Sequence, residues 1–406
     1  MGRIAKISIV SLSLLAFSYV GLGYVLGKSD DSKTYQSLTV YGEVMQRIQE
    51  DYVDEPDLGL VTAGSLHGLL ESLDAYSGYF SPREYADYKD KLKRAVHGEI
   101  GATLAKRFGY VVVVSVLPDG PAAKAGLRDG DILEALGNFN TREMSVSQAN
   151  LFVDGAPGTS VKVAVVRPGR VEPQMLDVQR VAPSTSHIIA TKVDDAAYIH
   201  LATIDPQTVS ELRDKLQEFD RQGVHKLVLD LRDCASGADA DGVAAAQLFL
   251  PAGTVTVLSG QTVARQEFSA APDKVVWSSP MDVLISDSTS GAAEIVASAI
   301  GDNKRGDLVG SRTFGSASHQ KLIPMDDGSA LILTDADYYT PKGKPILENG
   351  VAPTVEVANV SADTNPVGDD TAAVPPPPPI PPSPSLDDPV LRKALDLLNG
   401  DAHKAA

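Results

Sequence analysis

Four short apolar runs, Ala197–Leu201, Leu227–Leu231, Val283–Ile285 and Leu308–Val309, alternate with helical stretches at 207–221, 239–249 and 291–301. A chain that runs strand, helix, strand must cross over between strands, so this rhythm predicts a partly parallel sheet clad by helices. With 406 residues, 43% of them apolar, the chain is long enough for two or three domains with real cores. The fold class expected is therefore α/β, multidomain.

The remaining segments read differently. Residues 36–95 are helical, with Val44, Ile48 and Tyr52, then Leu66, Leu69, Leu70 and Leu73, at helical spacing. Residues 96–180 change to strands and glycine-marked turns: Tyr110–Val116 is a β run, Asp119–Leu133 carries Gly120, Gly126 and Gly130, and Gly155–Gly158 supplies a further turn. The core domain spans 181–358. Residues 359–386 form a proline-rich linker of extended character, and 387–406 restart a helix with Leu391, Leu395 and Leu398 on one face.

Residues 1–28 predict a membrane anchor. Ile7 to Leu26 form twenty mostly apolar positions behind Arg3 and Lys6, and about 20 residues at about 1.5 Å each match a hydrocarbon core of about 30 Å. The basic end stays inside, which predicts a single-pass protein of a bacterial inner membrane with its bulk in the periplasm. If 1–28 is instead a cleaved signal peptide, the protein is secreted. The net charge of −17 argues against nucleic acid and against an anionic membrane surface as partner, leaving membrane contact to the N-terminal helix alone. Cys234 is the one cysteine and the seven histidines are scattered, which excludes an internal disulfide and predicts neither metal nor cofactor.

Two motifs carry a family resemblance. Asp119-Gly-Pro-Ala-Ala-Lys-Ala-Gly-Leu-Arg-Asp-Gly-Asp-Ile-Leu133 resembles the PDZ signature. Ser286-Asp-Ser-Thr-Ser-Gly-Ala-Ala-Glu-Ile295 and Thr313-Phe-Gly-Ser-Ala-Ser-His-Gln320 resemble the two catalytic motifs of the carboxy-terminal processing (tail-specific) serine peptidases. Ser72–Tyr85 and Tyr338–Pro353 resemble further segments of that family. The resemblance covers roughly 36–358 and implies a helical segment, a β-barrel-like PDZ domain and a crotonase-like α/β protease core. It implies no cofactor, and it makes a dimeric, peptide-binding scaffold the expectation.

In that family a serine nucleophile at the start of a helix works with a lysine base. Anchored on Glu294-Ile295, the nucleophile position falls on Gly291; anchored on Thr313–Gly315, the base position falls on Ser316. Of that motif only Gln320 is kept. Ser290, one residue early, is the fallback nucleophile, but about 100° of helical rotation should turn it away from Ser316; Ser288, Thr289 and Ser290 otherwise read as helix caps. Lys304 and Lys321 are the nearest lysines in sequence; Lys304 reads as a solvated charge, and Lys321, after Gln320, should alternate to the opposite strand face. The family's oxyanion loop corresponds to Leu231–Gly237, where Cys234, Ala235, Ser236 and Gly237 replace an Asn-x-Gly-Gly run. No histidine is placed to activate Cys234, and Ser318 and His319, adjacent on a strand, face opposite ways. In the PDZ module the resemblance assigns the carboxylate loop to Glu99, Ile100, Gly101 and Ala102, and the pocket of the groove helix to Leu151.

Three readings follow. The first is a non-catalytic homologue that binds polypeptide C-termini or a partner envelope protein. The second is an active serine endopeptidase with a shifted nucleophile such as Ser290. The third is a structural envelope protein with a closed PDZ groove.

Overall fold

The computed structural model describes residues 31–93, 98–107, 109–167, 172–183, 188–357 and 384–404. Among the described residues, those from 66 onward make one compact unit and those up to 65 another. The helical segment contains α1 (Asp31–Asp51), α2 (Leu58–Glu71), the short strand β1 (Gly78–Phe80) and α3 (Pro82–Lys93). Along α1, Leu38, Val40, Tyr41 and Val44 are exposed.

The next domain is an antiparallel sheet of β2 (Ala102–Arg107), β3 (Tyr110–Val116), β4 (Ile132–Leu136), β5 (Phe139–Asn140), β6 (Ser160–Val166) and β7 (Gln174–Gln179), in the order β2-β3-β4-β6-β7 with β5 on β4. Two helices pack on it, α4 (Pro121–Ala125) and α5 (Val146–Val153). Gly126 closes α4 at φ 90°, a conformation that favours glycine. Ser145 caps α5 through a reciprocal pair with Gln148. The core between them joins Ile100, Leu104, Val111, Leu133, Leu136, Ala149 and Val163.

The third domain holds β8 (Ile188–Val193), β9 (Ala196–Leu201), β10 (Thr203–Ile204), α6 (Pro206–Arg221), β11 (Leu227–Asp230), β12 (Ser236–Gly237), α7 (Asp239–Ala246), β13 (Thr254–Ser259), β14 (Gln266–Ser269), β15 (Met281–Ile285), α8 (Ala292–Asp302), β16 (Leu308–Gly310), β17 (Ser318–Pro324), β18 (Ala330–Tyr339) and β19 (Val355–Glu356). One sheet runs β19-β16-β15-β11-β9-β8, parallel except for β8. The crossover helices bury their apolar faces on it, as Leu212 and Leu216 of α6 and Ile295, Val296 and Ile300 of α8 do. A second, antiparallel sheet runs β1-β18-β13-β14 with β17 on β18. Its outer strand β1 comes from the helical segment, Tyr79 pairing with Leu331, so residues 78–80 complete a sheet of the third domain.

The last helix, α9 (Pro389–Lys404), covers the sheet face opposite α8. Val390, Leu391, Ala394, Leu395 and Leu398 pack on Tyr198, Val228, Leu284 and Val309. An ion-paired clamp fixes its start: Arg232 contacts Asp230 at 2.6 Å and Asp388 at 2.7 Å, and its side chain is 6% exposed. The guanidinium holds the Asp230 carboxyl below the usual carboxylate range despite full burial. Arg232→Ala leaves Asp230 buried with the Tyr198 hydroxyl as its remaining side-chain donor. Removing one partner of a buried pair typically costs about 3–5 kcal/mol. A loss of that size is expected in denaturant titrations; a loss below about 1 kcal/mol, the scale of an exposed pair, would count against the clamp.

No helix among the described residues is long and apolar enough to cross a membrane. This corrects the expectation of a single-pass inner-membrane protein. The segment on which it rested, 7–26, lies outside the described residues, as does most of the linker at 359–386.

Candidate functional site

The loop from β15 into α8 brings the two serine-rich motifs together. Gly291 stands directly before α8 at φ 59°, ψ −120°, a backbone that side-chain-bearing residues rarely adopt. A Cβ built on it would point at the Ser316 hydroxyl, 3.7 Å away, with nothing nearer. The two motifs thus face one another at these two positions, within ordinary van der Waals reach of a Cβ.

Ser290 is not turned away. Its hydroxyl and that of Ser316 are 2.5 Å apart. The expectation from helical rotation fails because Ser290 and Gly291 precede the helix, and the positive φ of Gly291 resets the chain direction. Ser290 N–H donates to the Cys234 carbonyl at 3.0 Å. Ser288 reaches the Asp129 carboxyl at 3.3 Å, and Thr289 donates to the Leu231 carbonyl at 2.8 Å. These hydroxyls fix the loop to its neighbours, while Gly291 N–H is capped by Glu294 at 3.0 Å.

Glu294, fully buried, organises the second motif. Its carboxyl accepts from the Thr313 hydroxyl at 2.5 Å, from Gly315 N–H at 2.6 Å, from Ser316 N–H at 2.8 Å and from Ala317 N–H at 3.3 Å. Burial pushes its pKa above the usual carboxylate value, and these donors oppose the rise. In the sequence this residue served only as an alignment anchor; the signal that could have found its role is an acid on the apolar helix 291–301. Tyr76 was also missed. Its phenol faces Ser316, is flanked by Glu294 and Arg107, and is held neutral by burial. Asp239, half-buried at the start of α7, is pushed up to about 7 by burial first and then by the Glu294 charge.

The corresponding oxyanion loop follows β11. Cys234 is fully buried in the main core, and burial pushes its thiol far above the ordinary range, so it is no nucleophile. Ala235 is half-buried, while Ser236 and Gly237 are exposed and pair in parallel with Thr203 and Ile204. Gly237 is obligatory: at φ 132° its Cβ would lie 1.9 Å from the Ile204 carbonyl oxygen. His319 is exposed and bonded to Asp335 at 2.6 Å, and Ser318 donates to the Ser316 carbonyl at 3.1 Å, so the two form no dyad. Gln320 is exposed and donates to Ser318 at 2.8 Å. Lys304 and Lys321 are exposed.

In the PDZ-like domain, Glu99 pairs with Val181 through both backbone groups. Ile100 is buried, and Gly101 takes φ 70° before Ala102 opens β2. The carbonyls of Ile100 and Gly101 accept from Ala122 and Leu117. Their N–H groups meet no protein acceptor among the described residues. Leu151 does not sit in this domain's core: it packs with Phe80, Tyr85, Ala330 and Ile332 on the far side of α5. The pocket expected at Leu151 is thereby displaced, since helical phase sends that position toward the helical segment. Arg107, at the end of β2, lies 4.5 Å over the Phe314 ring, two residues before Ser316.

Comparison with known proteins identifies two domains. Residues 195–357 match the model of peptidase family S41, and residues 112–167 match that of the PDZ domain. The chain thus carries a peptidase family S41 region and a PDZ domain. It is 28% identical over 348 residues to a carboxy-terminal-processing protease of Bartonella bacilliformis, covering 84% of this chain and 80% of that one. The carboxy-terminal processing protease CtpA of Bacillus subtilis is 26% identical over 355 residues, 87% of this chain and 76% of that one. Among solved structures, a photosystem II D1 C-terminal processing protease shares the fold at TM-score 0.65 and 24% identity, over 79% of this chain and 92% of that one.

Proposed function

We propose that this S41 chain is a non-catalytic polypeptide-binding protein, a relative of the processing proteases that recognises chain ends through its PDZ domain. The observation that carries the reading is the facing of Gly291 and Ser316. The motif register puts nucleophile and base on these positions, and Gly291 points its missing side chain at Ser316 across 3.7 Å. Acyl transfer needs an attacking group and a base to take its proton. Neither position supplies that pair.

The contact between Ser290 and Ser316 favours a second reading, an enzyme with Ser290 as nucleophile. Its chemistry lacks a base. Ser316 is a hydroxyl, and Tyr76 beyond it stays neutral. Glu294 lies 3.4 Å from the Ser316 hydroxyl, but its lone pairs are committed to one hydroxyl and four N–H donors. A carboxylate so bonded is a weak acceptor for a further proton.

Chain-end recognition rests on the Ile100 and Gly101 N–H groups, which suit a terminal carboxylate. Calorimetry with apolar-ended peptides tests it. Free-acid peptides are expected to bind at least about tenfold tighter than amidated ones, about 1.4 kcal/mol. Equal binding of acid and amide would refute carboxylate capture.

A further inference from the structure

We propose that the PDZ domain is held against the loops of the candidate site by a proton shared between Asp129 and Asp233, so that its grip weakens as the pH rises. Asp129 lies in the PDZ turn between α4 and β4, and Asp233 on the loop that follows β11. Their carboxyl groups lie within reach of each other. Two carboxylates would repel there, whereas a carboxyl that keeps its proton donates to its neighbour. The rest of the joint is built around it. Asp129 accepts from Val116 N–H of its own domain at 2.7 Å and from the Ser288 hydroxyl at 3.3 Å. Ser115 of β3 donates to the Asp233 carbonyl at 2.5 Å. The PDZ domain therefore touches both loops that frame Gly291, the one at 231–237 and the one at 286–291.

The surroundings favour retention of the proton. Burial raises both acids, and the Asp129 charge raises Asp233 further. Asp287 faces Asp129 and Asp230 faces Asp233, and each adds a negative field. Arg232 is the opposing cation, and it is committed to Asp230 and Asp388. Cys234 alongside is a neutral thiol. The closed joint thus holds one proton more than a parted one. Below the ordinary carboxylate range both states are protonated and the joint is at its tightest. Above that range the parted state sheds its proton first, and closure weakens about tenfold per pH unit until the shared proton is also lost. The functional consequence lies at the site, because the Cys234 carbonyl on the first loop holds Ser290 N–H on the second.

Spin labels on Lys124→Cys in the PDZ domain and Asp214→Cys on α6, both exposed positions, report the separation in the full chain; Cys234 is buried and stays unlabelled. One distance is expected in mildly acidic buffer, with a second population growing about tenfold per pH unit toward alkaline buffer. In Asp129→Asn and Asp233→Asn the amide N–H can donate to the remaining carboxylate, so the contact no longer needs a shared proton, and both variants are expected to hold the first distance as the pH rises. A wild-type distribution that ignores pH, or variants that follow pH as the wild type does, overturns the proposal. Should both variants misfold, infrared titration of the wild type still decides. A protonated-carboxyl band that persists above the ordinary carboxylate range and is perturbed by Ser288→Ala supports the shared proton, and its absence refutes it.

Discussion

Purified protein is expected to leave a disordered, C-terminally tagged polypeptide uncut and to take no label from a fluorophosphonate. Loss of an activated nucleophile typically costs several orders of magnitude in rate. What remains here, a hydroxyl pair at 2.5 Å without a free base, does not make up that loss. Ser290→Ala should change neither measurement, since the loop keeps its Ser290 N–H bond to Cys234. The converse experiment adds chemistry. Gly291→Ser places a Cβ in ordinary contact with Ser316, while the positive φ asks for strain of about 1–3 kcal/mol. Combined with Ser316→Lys it should gain fluorophosphonate labelling that neither single change shows. Cleavage by the wild type that Ser290→Ala abolishes would replace the non-catalytic reading with the shifted-nucleophile enzyme.

How far the sequence revealed this molecule differs between its parts. The parallel strands at 196–201, 227–230, 281–285 and 308–310 lie where apolar runs announce them, because buried crossover strands leave a local pattern. The antiparallel sheet of β13, β14, β17, β18 and β1 was not legible: Tyr79 and Leu331 pair across the whole chain, and no local spacing records that. The site divides in the same way. Motif register brought Gly291 and Ser316 together, and it could do so because each sits on a short fixed loop. The direction of Ser290 was misread, since a periodicity argument applies inside a helix and Ser290 lies just outside one. Tyr76, Asp129 and Asp233 were invisible as partners for a third reason. Each meets its partner only through tertiary packing, Asp129 with Ser288 being one case.

The largest effect on the fold is expected from Glu294→Ala. Glu294 is fully buried, and its two oxygens take the Thr313 hydroxyl together with the N–H groups of Gly291, Gly315, Ser316 and Ala317. Removing the carboxylate strands donors in a place that water does not reach, and each buried unsatisfied donor costs about 1–3 kcal/mol. The losses are not additive, because the loop at 313–317 can relax, and Thr313 keeps its bond to Val351 N–H at 2.7 Å. A total of about 3–5 kcal/mol is therefore expected, on the scale of breaking a buried charged network. Glu294→Gln should fall between wild type and alanine, since one carbonyl oxygen still accepts while the new amide group opposes N–H donors. Urea titrations of the three proteins check the order. The same variants separate stability from peptide binding, because Ile100 and Gly101 lie in another domain and share no contact with Glu294. A Glu294→Ala protein as stable as the wild type would mean that the loop at 313–317 is held by something other than this carboxylate.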